Sequence, residues 1–239
     1  LIADDSRFGQ YASGKKLSTD QAPILINNDI ESIANQLQPI PGKPLHFTLT
    51  TRMENPIHNE LQPFFEIHDS RYMMYWLALS ENNYKGHLAQ LAKAEQERQA
   101  LEASTIDKVQ PGEQQPETDH RMETDQSFTG NTNDCFWRDA NDGHYFSYLM
   151  QTQGQENIAL RLKYWGVGEW KSHEFDIFVD DVLVKSVNNT GKYRISEFKY
   201  EVYDIPAELL KGKTQVRVKF VAKPGKQIGE IYEVRLINK

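Results

Sequence analysis

One cysteine, Cys135, occurs in 239 residues. That scarcity excludes an internal disulfide framework and any thiolate-rich zinc centre built by this chain alone. A lone cysteine reads first as a small buried apolar side chain, not as a nucleophile. No apolar run approaches the ~20 residues of a membrane span, and no charged-then-apolar leader opens the sequence. A basic excess is also missing. The 27 Lys and Arg face 34 Asp and Glu, for a net charge of −7, which argues against a nucleic-acid binder or a membrane-surface module. The seven histidines, at 46, 58, 68, 87, 120, 144 and 173, show no i, i+4 pair of a helical zinc site. "GVG" at 166–168 lacks both the spacing and the following helix of a phosphate cradle. No metal and no cofactor is expected.

What is present is β-rich. In "PLHFTLTTR", Leu45, Phe47 and Leu49 share one face, with His46, Thr48 and Thr50 on the other, the period of a half-buried strand. "RYMMYWLAL" is apolar on both faces over 72–79 and predicts a strand covered on both sides. Pro23, Pro39, Pro41, Gly42 and Pro44 break the text before it into loops and short edge strands. Ser80 is a helix N-cap, and Tyr84, Leu88, Leu91 and Ala92 form a helical stripe after it, predicting one helix over 81–103 whose second half projects into solvent. Residues 104–134 are poor in apolar side chains and carry Pro111, Gly112 and Pro116, so they read as a polar linker or long surface loop.

From Cys135 onward the pattern is a succession of strands. "DCFWRDA" and "HYFSYLM" flank the turn signal Asn141-Asp142-Gly143. "NIALRLKYW" alternates Ile158, Leu160, Leu162 and Tyr164 against Ala159, Arg161 and Lys163. "HEFDIFVDD" and "VLVKSV" meet at Asp180-Asp181, and "EFKYEVYDI", "TQVRVKFVA" and "GEIYEVRLIN" follow, with at most a short helix at "PAELLKGK". Short strands with turn signals every 8–12 residues indicate a β-sandwich or jelly roll. The chain starts without Met and reads as a piece of a larger protein.

Several motifs invite a chemical reading. His68, Asp69 and Ser70 spell a hydrolytic triad, but a triad is a matter of converging geometry, and consecutive strand residues point to opposite faces. No nucleophile elbow surrounds Ser70, so a polar turn is the expectation, and a free-standing hydrolase the third choice. "DANDG" at 139–143 misses the register of a twelve-residue calcium loop, since Gly143 falls at position 5 and Met150 at position 12. Acidic residues are too many for a glycosidase pair to be chosen from sequence. Aromatic residues are the better lead. Trp137, Trp165 and Trp170 suit either a core role or a carbohydrate platform; Trp170, in a glycine-bracketed loop, is expected to be the most exposed, and Arg138 and Asp139 lie beside Trp137. Asn188-Asn189-Thr190 fits a glycosylation sequon.

"LIADDSRFGQYASGKKLSTDQAPILI" with "LQPFFEIHDSRYMMYW" resembles the region downstream of the catalytic barrel in large bacterial proteins of glycoside hydrolase family 127, similar to β-L-arabinofuranosidases. "QPETDHRMETDQSFTGNTNDCFWRDANDGHYFSYLM", "IALRLKYWG", "FDIFVDDVLV" and "YDIPAELLKGKTQVRVKFVAKPG" resemble the C-terminal β-sandwich of those proteins. The resemblance implies a catalytic centre of cysteines and a glutamate on an α-barrel. With one cysteine, in a segment matching the accessory domain, this chain inherits no catalytic residue.

The expectation is therefore a mainly β chain: two β-sandwich or jelly-roll-like units joined by one helix and a long polar loop. The units are a β-rich one over 1–80, a connecting helix and linker over 81–119, and a C-terminal sandwich over 120–239. The expected function is that of a non-catalytic accessory region. It would pack on an upstream catalytic domain of the same polypeptide, in a periplasmic or secreted glycoside hydrolase. The alternative is a carbohydrate-binding module that takes a plant-type polysaccharide on Trp170, Trp165, Trp137, Arg138 and Asp139.

Overall fold

The computed structural model describes residues 2–7, 24–29, 33–49, 52–54, 60–66, 70–73, 77–132, 134–166 and 172–239. The chain divides into two compact units, Leu1–Gln96 and Glu97–Lys239. Among the described residues no helix is long and apolar enough to cross a membrane.

The described strands of the first unit are short and form three small sheets. β1 (Ile2–Arg7) pairs antiparallel with β7 (Ser70–Met73). β2 (Ile24–Ile26) lies between β5 (Arg52–Glu54) and β8 (Leu77–Leu79), the latter parallel to it. β4 (Phe47–Leu49) lies between β3 (Leu37–Pro39) and β6 (Glu60–Leu61). The doubly apolar run at 72–79 is interrupted in description at 74–76, and His68 and Asp69 also lie outside the described residues. α1 (Glu81–Ser104) begins at the expected cap, where Ser80 Oγ accepts the backbone N–H of Asn83 at 3.3 Å. Tyr84 is buried, while Leu88 and Leu91 of the same stripe are exposed.

Residues read from sequence as linker are built into the second unit. Thr105 follows α1 directly, its Oγ1 donating to the carbonyl of Leu101 at 2.6 Å. It opens β9 (Thr105–Val109), and α2 (Gln114–Asp119) comes next. The reason they escaped is composition: of the β9 residues only Val109 is fully buried, Ile106 is half-buried against the core, and Thr105, Asp107 and Lys108 are polar. Asp107 shows how such a strand is satisfied, accepting from the backbone of Gln151 at 2.6 Å and facing His120 Nε2 at 3.1 Å.

The remaining strands are β10 (Glu123–Thr124), β11 (Phe128–Thr132), β12 (Cys135–Asp139), β13 (Tyr145–Gln151), β14 (Ile158–Trp165), β15 (Glu174–Val179), β16 (Val182–Asn188), β17 (Phe198–Asp204), β18 (Gln215–Ala222) and β19 (Ile231–Asn238). A short α3 (Ala207–Leu210) precedes β18. They form a β-sandwich of two antiparallel sheets, ordered β10-β13-β18-β15-β16 and β11-β12-β19-β14-β17, with β9 also on β19. The last two strands in sequence, β18 and β19, are thus the central strands of the two sheets.

Period-2 burial fixes which face of each strand meets the core. Ile158, Leu160, Leu162 and Tyr164 of β14 turn inward, as do Phe175, Ile177 and Val179 of β15, and Val216, Val218 and Phe220 of β18. Arg161 and Lys163 face outward, lying over the rings of Tyr200 and Phe198 at 3.9 and 3.8 Å from the centroids. Two turns read from sequence take left-handed backbone. Asp180 and Asp181, at φ 46° and 62°, close the β15–β16 hairpin, the geometry that matches strand twist. Asp142 and Gly143, at φ 51° and 86°, make a similar turn closed by His144 N–H to Asn141 O at 2.9 Å. There the flanking strands β12 and β13 belong to opposite sheets, so the turn carries the chain across the sandwich.

Candidate functional site

At one rim of the sandwich, three connections, β14–β15, β16–β17 and β18–β19, converge on a recess. Its lining residues are Tyr164 and Trp165 at the end of β14, His173 before β15, Asn189 and Tyr193 after β16, and Ile228, Gly229 and Glu230 before β19. It encloses about 250 Å³, counted to its open mouth. Most of that space is open to solvent, and the enclosed part is about the size of a single water.

The recess is assembled by backbone hydrogen bonds across the rim. Gln227 N–H donates to Ser172 O and its carbonyl accepts from Glu174 N–H, both at 3.0 Å, while Ile228 N–H donates to Ala140 O at 3.0 Å. Asn189 N–H donates to His173 O at 2.8 Å. Gly229 has φ +83°, and a Cβ there would stand 2.7 Å from the His173 ring. Only glycine lets the loop take that left-handed turn and lie against the imidazole.

Its floor is aromatic. The rings of Tyr164 and Tyr193 stack at 6.4 Å with 24° between planes. Tyr164 is buried, with its hydroxyl 3.3 Å from that of Tyr203. Burial, reinforced by Tyr203, raises the Tyr164 phenol well above its ordinary value; burial pushes Tyr203 up to about 12. The Tyr193 hydroxyl donates to Glu201 Oε1, which Lys192 also meets at 2.7 Å. Burial and then the Glu201 carboxylate raise the Tyr193 phenol as well. All three phenols stay neutral across the physiological range.

One polar atom stands out. Asn189 is 3% exposed, and its buried Oδ1 has no hydrogen-bond partner among the described residues. A buried acceptor left unmet costs about 1–3 kcal/mol, so this carbonyl calls for a donor, which an ordered water or a ligand hydroxyl can supply.

The residues singled out in the sequence are dispersed. Trp165 lines the recess and packs edge-on against Phe198 at 4.8 Å. Trp137 is half-buried elsewhere, donating Nε1–H to Thr132 Oγ1 at 3.1 Å and covered by Gly130, whose Cβ would meet its ring at 2.3 Å. Arg138 and Asp139 are buried and not part of an exposed platform. Arg138 is paired with Glu117. Asp139 Oδ1 accepts the N–H groups of Ala140 at 2.8 Å and Gly229 at 2.9 Å, so it acts on the recess from behind by holding its loop. Trp170 lies in 167–171, outside the described residues. Cys135 is half-buried, 3.8 Å from Lys163 Nζ. His173, Asn189, Tyr193, Gly229 and Glu230 were not found from sequence. Their only traces were the sequon at 188–190 and the glycine before the last strand.

A family model described as a family of unknown function matches residues 100–237, more than half of the chain. The chain belongs to this family, DUF6805. Residues 1–78 of this DUF6805 protein match a second model, a domain of unknown function (DUF4986). No curated protein sequence matches the chain. Among solved structures, the DUF6805 chain is similar to a family 35 carbohydrate-binding module from Clostridium thermocellum, at 10% identity and TM-score 0.40, over 49% of this chain and 92% of that one. It is also similar to a family 36 carbohydrate-binding module of a multidomain xylanase from the hindgut metagenome of Trinervitermes trinervoides, at 13% identity and TM-score 0.39, over 55% and 96%. A third is a family 115 4-O-methyl-α-glucuronidase with specificity for decorated arabinogalactans, at 8% identity and TM-score 0.34, over 56% and 18%.

Proposed function

We propose that the Glu97–Lys239 sandwich is a non-catalytic carbohydrate-binding module and that the rim recess is its binding site. The observation that carries this reading is the pairing of an aromatic floor with the unmet carbonyl of Asn189. Sugars present C–H faces that pack on aromatic rings and hydroxyls that donate to such acceptors. Ring packing supplies area and the acceptor supplies orientation. The resemblance to the accessory region of glycoside hydrolase family 127 supports the wider setting: an extracytoplasmic polypeptide in which the module accompanies an upstream catalytic domain and holds it near a plant-type polysaccharide. Among the readings drawn from sequence, binding is favoured over a purely packing role because a packing surface does not require an orphaned acceptor beneath an open mouth.

The test is affinity electrophoresis and calorimetry of the full chain against soluble arabinans, xylans, arabinogalactans and galactans. Binding by the wild type that Tyr193→Ala and Asn189→Ala abolish, in variants that melt as folded proteins, is the expected result. Silence across these polysaccharides, or binding indifferent to both substitutions, would sink the reading.

A further inference from the structure

We infer that the outward face of the sheet holding β14, β17 and β19 is a second binding surface, fitted to a mainly neutral polysaccharide whose isolated uronate residues meet Lys163. This rests on the sandwich being a carbohydrate-binding module, not on the recess. The registers Arg161↔Val202, Lys163↔Tyr200 and Trp165↔Phe198, with Arg161↔Arg235 and Lys163↔Glu233, put these side chains on one face. Tyr200 and Val202 stand there 49% and 53% exposed. Phe198 is half-buried beside them, ring to ring with Trp165 at 4.8 Å and with Tyr232 at 5.1 Å. The solvent side of an antiparallel sheet is ordinarily polar, so a run of rings on it marks a surface that meets a partner.

The charges on this face point to what covers it. Glu233 is shared by two guanidiniums, Arg161 at 3.0 Å and Arg235 at 2.9 Å. Glu102 is shared as well, by Arg235 at 3.0 Å and Lys108 at 3.5 Å, and Asp204 is taken by Lys239 at 2.7 Å. Lys163 has no carboxylate partner among the described residues; its ammonium lies 3.8 Å from the centre of the Phe198 ring and 3.8 Å from Cys135 Sγ. The other sheet differs. There Arg217, Lys219 and Lys223 each have a carboxylate of their own, Glu123, Asp181 and Asp176. The aromatic face thus holds a cation in surplus, on a chain whose net charge is −7. A uronate-bearing polysaccharide supplies what is missing: C–H ring faces for Tyr200 and Val202 and one carboxylate for Lys163. A nucleic-acid strand brings a phosphate at every step, more charge than one ammonium answers, and the acidic chain repels it.

The experiment measures binding of the full chain to xylo- and galacto-oligosaccharides carrying one glucuronate, and to the same compounds with the carboxyl reduced to an alcohol, in buffer containing EDTA. The wild type is expected to hold the uronate forms about fivefold more tightly at low salt, the effect of one weakly screened charge pair, and the gap should close as salt is raised. Lys163→Gln should erase the gap, and Tyr200→Ala should weaken both forms alike. Lys219→Gln, on the other sheet, and Asn189→Ala, in the recess, should leave the gap in place. Equal binding of the two forms, a gap that survives Lys163→Gln, or a gap lost in Lys219→Gln or Asn189→Ala overturns the inference. Competition by polyglutamate or oligodeoxythymidylate as effective as by the uronate sugar overturns it too, because the face would then read acidic polymers of another class. Neutral-sugar binding that depends on Asn189 without any uronate preference leaves the recess standing and removes this surface alone. Silence of the wild type toward every carbohydrate removes both.

Discussion

The guanidinium of Arg138 grips the carboxylate of Glu117 at both oxygens, Nε to Oε1 and Nη2 to Oε2, each at 2.6 Å. The two side chains are 10% and 8% exposed. Glu117 also accepts from Gly112 N–H at 2.9 Å and Tyr148 O–H at 2.8 Å, and Arg138 reaches Ser127 Oγ at 2.6 Å. This fork-to-fork contact ties α2 to β12 and to the inward face of β13. It makes a residue that looked like a ligand contact into an internal clamp.

Breaking one side of such a pair strands the other as a buried charge. Arg138→Ala is expected to lower unfolding free energy by about 3–5 kcal/mol, read as a shift in the urea midpoint at unchanged m-value. The double variant Arg138→Met with Glu117→Leu should recover much of that loss. A single variant as stable as the wild type would show that the clamp is not closed in solution.

Glu117 also gives the sandwich an acid limit. Burial alone would raise its carboxyl, but the bonds from Arg138, Gly112 and Tyr148 and the Arg138 charge hold it below the usual carboxylate value of 4.5. A group depressed in the folded state contributes stability that is present above its unfolded value and lost as pH falls through the folded one. Thermal midpoints should therefore hold above about pH 4.5 and fall below it. In Glu117→Gln the fall over that window should be shallower.

His120 sets an opposite slope near neutrality. Burial works against its charge, yet Asp107 at 3.1 Å and the Pro116 carbonyl at 2.6 Å face its two ring nitrogens and raise it above 6.5. A raised group contributes fully below its unfolded value and less as pH climbs through the folded one. Imidazole resonances followed by NMR should titrate above 6.5, and His120→Asn should remove the matching decline in stability. Titration at or below the ordinary value would contradict the paired geometry.

Gly229→Ala joins stability to the recess. The new methyl must take a left-handed turn and displace the His173 ring, 2.7 Å away, at a cost of about 1–3 kcal/mol. Weakened sugar binding should accompany the drop in melting temperature. An alanine variant with wild-type stability would mean that the loop approaches the imidazole less closely than the structure has it.

The strands after Cys135 were legible because alternation survives in them. Ile158, Leu160 and Leu162 read as one face in sequence and are fully buried in the fold. β9 was illegible because Thr105, Asp107 and Lys108 hide its single deep anchor, Val109. The recess was harder still. Its residues come from three separate connections, and periodicity says nothing about which connections meet. Arg138 and Asp139 misled for a related reason. A charged residue on a strand looks exposed until its partner is known, and those partners lie 21 and 90 positions away.

The placement of β18 and β19 bears on how the protein is made. A ribosome delivers the two sheets with a gap in the middle of each, since β13 and β15 must wait for β18, and β12 and β14 for β19. Until residue 238 has cleared the exit tunnel, the flanking strands expose unpaired inner edges of the kind that recruit other chains. Nascent chains halted before β19 should thus be chaperone clients or aggregates, not a sandwich lacking one edge strand.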